Sequence, residues 1–365
     1  MSRPRLPVVA IVAGGTGGHV MPALAIASAL EGSGFRVHWI GTRRGLESEI
    51  VPKRGYPLTA FDLSGFRGRS GRLRAMALVE FVRAFAASLR LLPRLEVVAV
   101  LGMGGYASLP AGCAAWFVRR PLLIHEQNAV PGWANRLLYP LARRVLLSFP
   151  GAFPDRIRVR VVGLPVAPAI AALPPPAARW RNRSGPARLL VLGGSQGARR
   201  LNRLVPELLA GWPADVPVVV RHQTGRGDWE ATREALAPYG DRVELVPFFE
   251  DMAPVYGWAD CVLARSGAST VAELACAGLP ALLVPYPHAV DDHQTANAQA
   301  LVACGAACLV PEHDLDPGGV RGLLAELLSD RTRLLAMAES ARRLARPGAA
   351  EAVVGEIRAV ARRPA

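Results

Sequence analysis

Short apolar runs recur along the chain, each closed by glycine or polar residues and followed by a stretch with helical spacing. Residues 7–41 set the plan: a run at Pro7–Ala13, a glycine turn, a helix pattern with Pro22 near its first turn, and a second run at Arg36–Ile40. That is a βαβ unit. The plan returns at Leu189–Leu192, with a second glycine turn, a helix pattern to about Gly211 and a run at Pro217–Arg221. Val97–Leu101, Leu122–Ile124, Val243–Val246, Cys261–Ala264, Ala281–Val284 and Ala307–Val310 are further apolar runs with helical patterns between them. Such alternation predicts parallel sheets with helices on both faces. Gly163–Pro186, with its "LPPPAARWRNRSGP", breaks both periodicities and reads as a linker. The expected fold is α/β, two Rossmann-like, doubly wound parallel-sheet domains facing across a cleft. Their ligands would sit at the carboxyl ends of the strands.

The two glycine turns, "AGGTGGHVMPAL" and "LGGSQGARRL", each carry a hydroxyl residue two places after the first glycine. Neither has the G-x-G-x-x-G spacing of a dinucleotide site. The second strand ends "HWIGTRRG", with no acidic residue for a ribose hydroxyl, although Arg43 and Arg44 would suit a 2′-phosphate. Neither turn closes with the G-K-[ST] of a P-loop. What remains is an anion cradle of backbone N–H groups with Thr16 or Ser195 adding a hydroxyl. The simpler alternative, glycines that only let strand and helix pack closely, fits one such turn better than two at matching positions.

A third signal is "ARSGASTVAELACAGLPALLVPYP" (Ala264–Pro287), a strand end that opens a helix. Thr270 and Glu273 have capping-box spacing, so Glu273 reads either as a helix cap or as a carboxylate taking two neighbouring hydroxyls of a ribose. "DDHQTAN" (Asp291–Asn297) opens another helix, whose polar side chains either face the same cleft or, as Asp291 or Asp292, serve as ordinary N-caps.

Length, charge and cysteines narrow the class. At 365 residues the chain is long enough for two domains with a core each. Its five cysteines show no metal-ligand spacing, and the first apolar run is too short for a signal peptide, so reduced, buried cytosolic thiols are expected. No apolar stretch reaches membrane-spanning length. The net charge of +14 is uneven: residues 1–163 hold 22 Lys+Arg against 8 Asp+Glu, and the remainder 21 of each. One half therefore faces something anionic. The focus is Gly65–Arg94, with seven Arg against one Glu beside Met76, Leu78, Val79, Phe81, Val82, Phe85 and Leu89. Basic residues beside an apolar helical face suit an interfacial helix on anionic lipid, at ~1 kcal/mol per basic residue. The alternative is that the apolar stripe is the helix's core face and the arginines are solvated. The candidate membrane patch is Arg67, Arg69, Arg72, Arg74, Met76, Phe81 and Phe85. Nucleic-acid motifs are absent, so no nucleic-acid partner is expected.

Seven motifs in order, "GGTGGHVMPALAIA", "GMGGYASLPA", "HEQNAVPGWANRLL", "GGSQGARRLN", "HQTGRG", "RSGASTVAELACAGLPALLVPYP" and "DDHQTANA", resemble the MurG family over about residues 8–310. The resemblance implies a glycosyltransferase of the GT-B type. It would be a peripheral protein on the cytoplasmic face of the bacterial membrane, acting in peptidoglycan synthesis. A C-terminal domain (164–344) would bind UDP-N-acetylglucosamine. An N-terminal domain (1–163, with the segment 345–365 packing back on it) would take undecaprenyl-diphospho-N-acetylmuramoyl-pentapeptide. The acceptor's 4-hydroxyl attacks the anomeric carbon with inversion and UDP leaves, with no cofactor. By motif match the donor contacts would be Ser195, the Phe249 backbone at the uracil, Ala268, Ser269, Thr270, Val271, Ala272, Glu273 at the ribose and Gln294 at the sugar. Gly15, Thr16, Gly17 and Asn128 would approach the donor from the N-terminal side. The loops Gly14–Gly18 and Gly104, Gly105 and Tyr106 would cradle the acceptor diphosphate.

Inversion needs a group that accepts the acceptor's proton and something that stabilises the departing diphosphate. His19, at the mouth of the first turn, and Glu126, after a strand, are the catalytic candidates. The alternatives are a histidine that only orients substrate and a carboxylate that only holds His125 or a loop. The family commonly carries Gly-Asn-Pro-Val-Arg at the domain junction, its Arg contacting the donor. Here the junction is "GLPVA" (Gly163–Ala167), which calls for another cation or a looser grip. Asp314–Asp316 spells a D-x-D, but Pro317 follows directly and marks Asp316 as a helix cap, so no metal is expected. Two rival functions are a UDP-N-acetylglucosamine 2-epimerase and a non-catalytic membrane-bound nucleotide-sugar binder.

Overall fold

The computed structural model describes residues 6–15, 17–65, 71–194 and 197–361. The chain divides into two compact units, Met1–Val166 with Gly348–Ala365, and Ala167–Pro347.

The first unit runs β1 (Val8–Val12), α1 (Gly17–Gly32), β2 (Arg36–Thr42), α2 (Glu47–Lys53), β3 (Leu58–Phe61), α3 (Gly71–Arg94), β4 (Val97–Gly102), α4 (Ser108–Phe117), β5 (Leu122–Glu126), α5 (Trp133–Leu138), β6 (Arg144–Leu147) and β7 (Val159–Val161). Its sheet is parallel throughout, in the order β3-β2-β1-β4-β5-β6-β7. The continuous apolar reading of β1 has a direct cause, since both of its faces are buried. Val9 and Ile11 pack with Val20, Ile26 and Leu30 of α1, while Val8, Ala10 and Val12 pack on the opposite core with Leu109 and Leu138.

The second unit runs α6 (Pro168–Ala171), α7 (Pro176–Trp180), β8 (Ala187–Leu192), α8 (Arg199–Ala210), β9 (Val218–Gln223), α9 (Trp229–Leu236), β10 (Val243–Val246), α10 (Met252–Trp258), β11 (Cys261–Ala264), α11 (Ala268–Ala277), β12 (Ala281–Leu283), α12 (His293–Val302), β13 (Ala307–Leu309), α13 (Pro317–Ser329) and α14 (Arg331–Arg343). Its parallel sheet has the order β10-β9-β8-β11-β12-β13, around a core of Leu189, Val191, Leu201, Leu204, Leu263 and Leu324. The chain then returns as α15 (Ala349–Val360), whose Val353, Val354 and Ile357 complete the α1 side of the first unit's core. Glu356 pairs there with Arg144 at 2.9 Å.

Three differences from the sequence reading have physical reasons. The stretch expected to be a linker carries α6 and α7, and most of it belongs to the second unit. Arg179 donates to the carbonyls of Tyr256, Ala277 and Gly278, and Arg183 to those of Gly257 and Ala259 and to the Asp260 carboxylate. Prolines that break periodicity there start short helices whose arginines cap the ends of α10 and α11. Strands β3, β6 and β7 went unread because their few residues mix polar and apolar types (LTAF, RVLL, VRV), whereas the equally short β11, β12 and β13 are unbroken apolar runs. Asp292 stands at the N-cap of α12 in a left-handed conformation (φ 48°) and accepts from the Thr295 hydroxyl at 2.8 Å, not from a backbone N–H as expected. Asp316 does cap α13, accepting from Gly319 N–H at 2.6 Å. No helix among the described residues is long and apolar enough to cross a membrane.

Candidate active site

In both sheets the strand order reverses at one place, between β1 and β4 and between β8 and β11. Ligands of doubly wound sheets bind outside the carboxyl ends of the strands at such a reversal. The sequence motifs stand at these two places. The first glycine turn follows β1 and the Gly104–Gly105 loop follows β4; the second turn follows β8 and Arg265–Gly267 follows β11.

In the first unit the two loops touch. A Cβ on Gly105 would lie 3.3 Å from both the Gly14 carbonyl oxygen and His19 Cδ2, and one on Gly104 would lie 3.8 Å from His19 Cε1. Gly104 and Gly105 both have positive φ (88° and 71°), which only glycine adopts freely in succession. His19 lies in the first turn of α1, and Gly17 and Gly18 ahead of it have N–H groups without intrahelical partners. Tyr106 is exposed beside this loop. Gly15 has both backbone polar groups engaged by the protein. Its N–H donates to Glu47 Oε2 at 3.0 Å and its carbonyl accepts from Leu46 N–H at 3.4 Å, so neither group faces a ligand. Thr16 lies outside the described residues.

Glu126 ends β5 with its carboxylate saturated. Oε1 accepts from Asn128 N–H at 3.0 Å and Asn128 Nδ2 at 3.4 Å; Oε2 accepts from Gly132 N–H and Asn135 Nδ2, both at 2.9 Å. These four bonds engage both oxygens of the buried group, and the side chain holds the 126–135 loop, Asn128 included. His125 is fully buried, its Nε2 3.0 Å from the Gly163 carbonyl. Burial holds its pKa down to about 4, opposed by the Gly163 bond and reinforced by His19. A neutral ring donating through Nε2 fits that bond, so His125 secures the junction segment from within the first unit. Gln127, two residues on, donates to Met103 O at 2.8 Å and so ties the end of β5 to the end of β4.

In the second unit Gln223 plays the bridging part. Its Nε2 donates to Gly194 O in the second glycine turn at 3.3 Å, and its Oε1 accepts from Phe249 N–H at 2.9 Å. Only the Phe249 carbonyl is left for a base. Ser195 lies outside the described residues. Along α11, Val271 N–H already bonds Gly267 O at 3.0 Å, so the unpaired donors of the expected stretch are those of Ala268, Ser269 and Thr270; Ala272 continues the helix. The buried hydroxyls of Ser266 and Ser269 have no hydrogen-bond partner among the described residues, which marks a place for a polar ligand. Glu273 is no helix cap, because α11 starts at Ala268 and puts it in the second turn. Its Oε2 accepts from the buried Tyr256 hydroxyl at 2.8 Å. Desolvation pushes the Glu273 carboxyl up to about 7, against the pull of the Tyr256 bond. Gln294 Oε1 accepts from Tyr286 N–H at 2.9 Å, which leaves its amide nitrogen to donate. No group of three or more His, Cys, Asp or Glu placed to hold a metal occurs among the described residues.

Residues 9–147 match the glycosyltransferase family 28 N-terminal domain, and residues 188–353 the glycosyltransferase family 28 C-terminal domain. The UDP-N-acetylglucosamine–N-acetylmuramyl-(pentapeptide) pyrophosphoryl-undecaprenol N-acetylglucosamine transferase of Nitrosococcus oceani is 50% identical over 345 residues, 94% of this chain and 96% of the relative. The crystal structure of Acinetobacter baumannii MurG is 36% identical with a TM-score of 0.84, over 97% of this chain and 99% of that one. The chain belongs to the MurG family. A UDP-GlcNAc 2-epimerase structure from Neisseria meningitidis, bound to UDP-GlcNAc, has a TM-score of 0.66 at 12% identity over 97% of this chain and 100% of that one, a likeness of fold alone. At the MurG junction this chain has a buried Leu164 and an exposed Ala167. Glu47, Gln127, Gln223 and Tyr256 went unread in the sequence. Each acts through a partner distant in the chain, and no local spacing announces that.

Proposed function

We propose that this chain is an inverting glycosyltransferase that moves N-acetylglucosamine from UDP-N-acetylglucosamine to the 4-hydroxyl of undecaprenyl-diphospho-N-acetylmuramoyl-pentapeptide in peptidoglycan synthesis. The observation that carries the reading is the 50% identity to a transferase of that name along 94% of the chain, a span too long to lie within either domain alone. In this reading the second unit takes the donor. Glu273 accepts the ribose hydroxyls, Gln294 donates to the sugar, and the Phe249 carbonyl accepts from the uracil. The unpaired N–H groups at the start of α11 stabilise the departing diphosphate. The first unit takes the acceptor diphosphate at Gly17–Gly18 and Gly104–Tyr106, and His19 receives the proton of the 4-hydroxyl.

The first unit also meets the membrane in this reading. On α3 the apolar stripe divides: Phe81 and Phe85 are half-buried against the core and stacked on each other, with Phe85 also edge-on to Phe117. Met76, Leu78 and Val82 are 54–58% exposed, as are the α4 residues Trp116 and Phe117 at 56% and 66%. Arg72 and Arg74 are exposed beside them, while Arg67 and Arg69 lie outside the described residues. An apolar surface rimmed by arginines, on a segment that carries the chain's charge excess, suits anionic lipid at the cytoplasmic face.

The test mixes protein, UDP-N-acetylglucosamine, a short-chain analogue of the lipid acceptor and EDTA, and follows UDP and disaccharide together. Acceptor-dependent UDP release with one disaccharide per UDP is expected. Epimerised sugar without acceptor would replace this reading with the isomerase. Donor binding without turnover would replace it with the nucleotide-sugar binder.

A further inference from the structure

Glu47 is the first residue of α2 and is fully buried, yet no arginine or lysine among the described residues pairs with it. Its carboxylate is satisfied by hydrogen-bond donors alone. Oε1 accepts from the N–H and the hydroxyl of Thr42, both at 2.7 Å, and Oε2 from Gly15 N–H at 3.0 Å. The surrounding chain is cut to fit it, since a Cβ at Gly14, Gly41 or Gly45 would collide with the Glu47 side chain. The neighbouring Leu46 N–H holds the Gly15 carbonyl, so the same segment grips both ends of that residue. One step back, Trp39 Nε1 donates to Ala13 O at 2.8 Å. A buried carboxylate is costly unless its bonds are complete, and here two of those bonds come from Thr42 at the end of β2 and the third from the backbone of the first glycine turn.

We propose that Glu47 is a positioning residue for transfer: by holding the Gly15 N–H inward, it sets the turn so that the start of α1 and His19, not Gly15, meet the acceptor. Gly15 has φ 99°, a conformation that glycine leaves as readily as it enters, so its two polar groups are fixed by the Glu47 carboxylate and the Leu46 N–H. A flipped Gly15 N–H would compete for the acceptor diphosphate in a non-productive pose and shift the turn that carries His19. The inference rests on the transferase reading above, and wild-type turnover in the same assay separates the two.

The variant is Glu47→Gln, which keeps the shape and sets an amide N–H against one of the donors. Acceptor kcat/KM is expected to fall at least tenfold while donor KM stays within twofold. Gly15→Ala attacks the same contact from the turn: its methyl has room, but φ 99° disfavours it. It should give the same acceptor-selective loss, and the double variant should lose no more than the worse single one. Unchanged acceptor kinetics in Glu47→Gln, or a loss shared equally with donor KM and matched by loss of folded protein, would overturn the proposal. Should Glu47→Gln fail to fold, Gly15→Ala decides alone, and unchanged acceptor kinetics there would sink it. A wild type that does not transfer would overturn the transferase reading and this proposal together.

Discussion

Glu273 and Tyr256 form a pair whose chemistry is set by burial. Desolvation raises the Glu273 carboxyl from 4.5 to about 7, so near neutrality it is divided between protonated and ionised forms. The sign for folding follows from linkage. A carboxyl raised in the folded state favours folding when protonated, and that contribution is lost as pH rises from its unfolded value through about 7. Donor binding runs the other way, because only the carboxylate accepts two ribose hydroxyls. UDP affinity, measured by calorimetry without acceptor, should therefore weaken as pH falls through about 7. Tyr256→Phe removes a bond that favours the carboxylate and should move that midpoint upward. Glu273→Gln should abolish the pH dependence and weaken binding about tenfold or more, ~1.4 kcal/mol. Glu126 gives the contrasting case. Glu126→Gln sets an amide group against the loop's donors and should cost ~1–3 kcal/mol of stability by denaturant titration. It should leave kcat within a few-fold, whereas His19→Gln should lower kcat by about 10²–10⁴-fold. The residue types at these positions were legible in the sequence; their roles were not. A carboxylate after a strand reads alike whether its lone pairs face solvent or four donors, and Asn128, Gly132 and Asn135 reach Glu126 only when the loop folds back.

Among the elements, α3 shows how one helix serves two surroundings. Ala77, Ala84, Ser88 and Leu92 form its buried line, and Met76, Leu78 and Val82 its outer one. A stripe read from spacing alone merged the two, because Phe81 and Phe85 lie between them in sequence and turn inward on folding. Aspartate at Met76 and Val82 should abolish sedimentation with anionic vesicles while turnover of a short-chain acceptor analogue holds. Loss of both together would instead show a folding defect. Elements with a clear apolar run or strong punctuation were legible: β1, β2, β4, β5, β8, β9, β10, β11, β12 and β13, and the cap of α13. The short strands β3, β6 and β7 were not, nor were the helices of the proline-rich stretch, because their stability comes from neighbours and not from their own pattern.

The two units share no core side chain: one core cluster lies in the second unit and two, on opposite faces of the sheet, in the first. Each unit has its own sheet, so calorimetry should resolve two transitions, and two-state treatment of the whole chain should fail. UDP at about a hundredfold excess over its Kd should raise only the transition of the second unit, by ~2.7 kcal/mol. A uniform rise of both would show that the donor binds each unit. The first unit closes only when α15 returns from the end of the chain to pack on α1.

Two βαβ plans, two glycine turns, the charge asymmetry and the family motifs were fixed by local order, because periodicity, punctuation and spacing act over a few residues. Tertiary structure alone decided which buried groups hold those turns: Glu47 reaching Gly15 across 32 positions, Gln223 joining Gly194 to Phe249, and Tyr256 facing Glu273. A buried polar atom must find its partner wherever the fold brings one. That demand leaves no period in the chain.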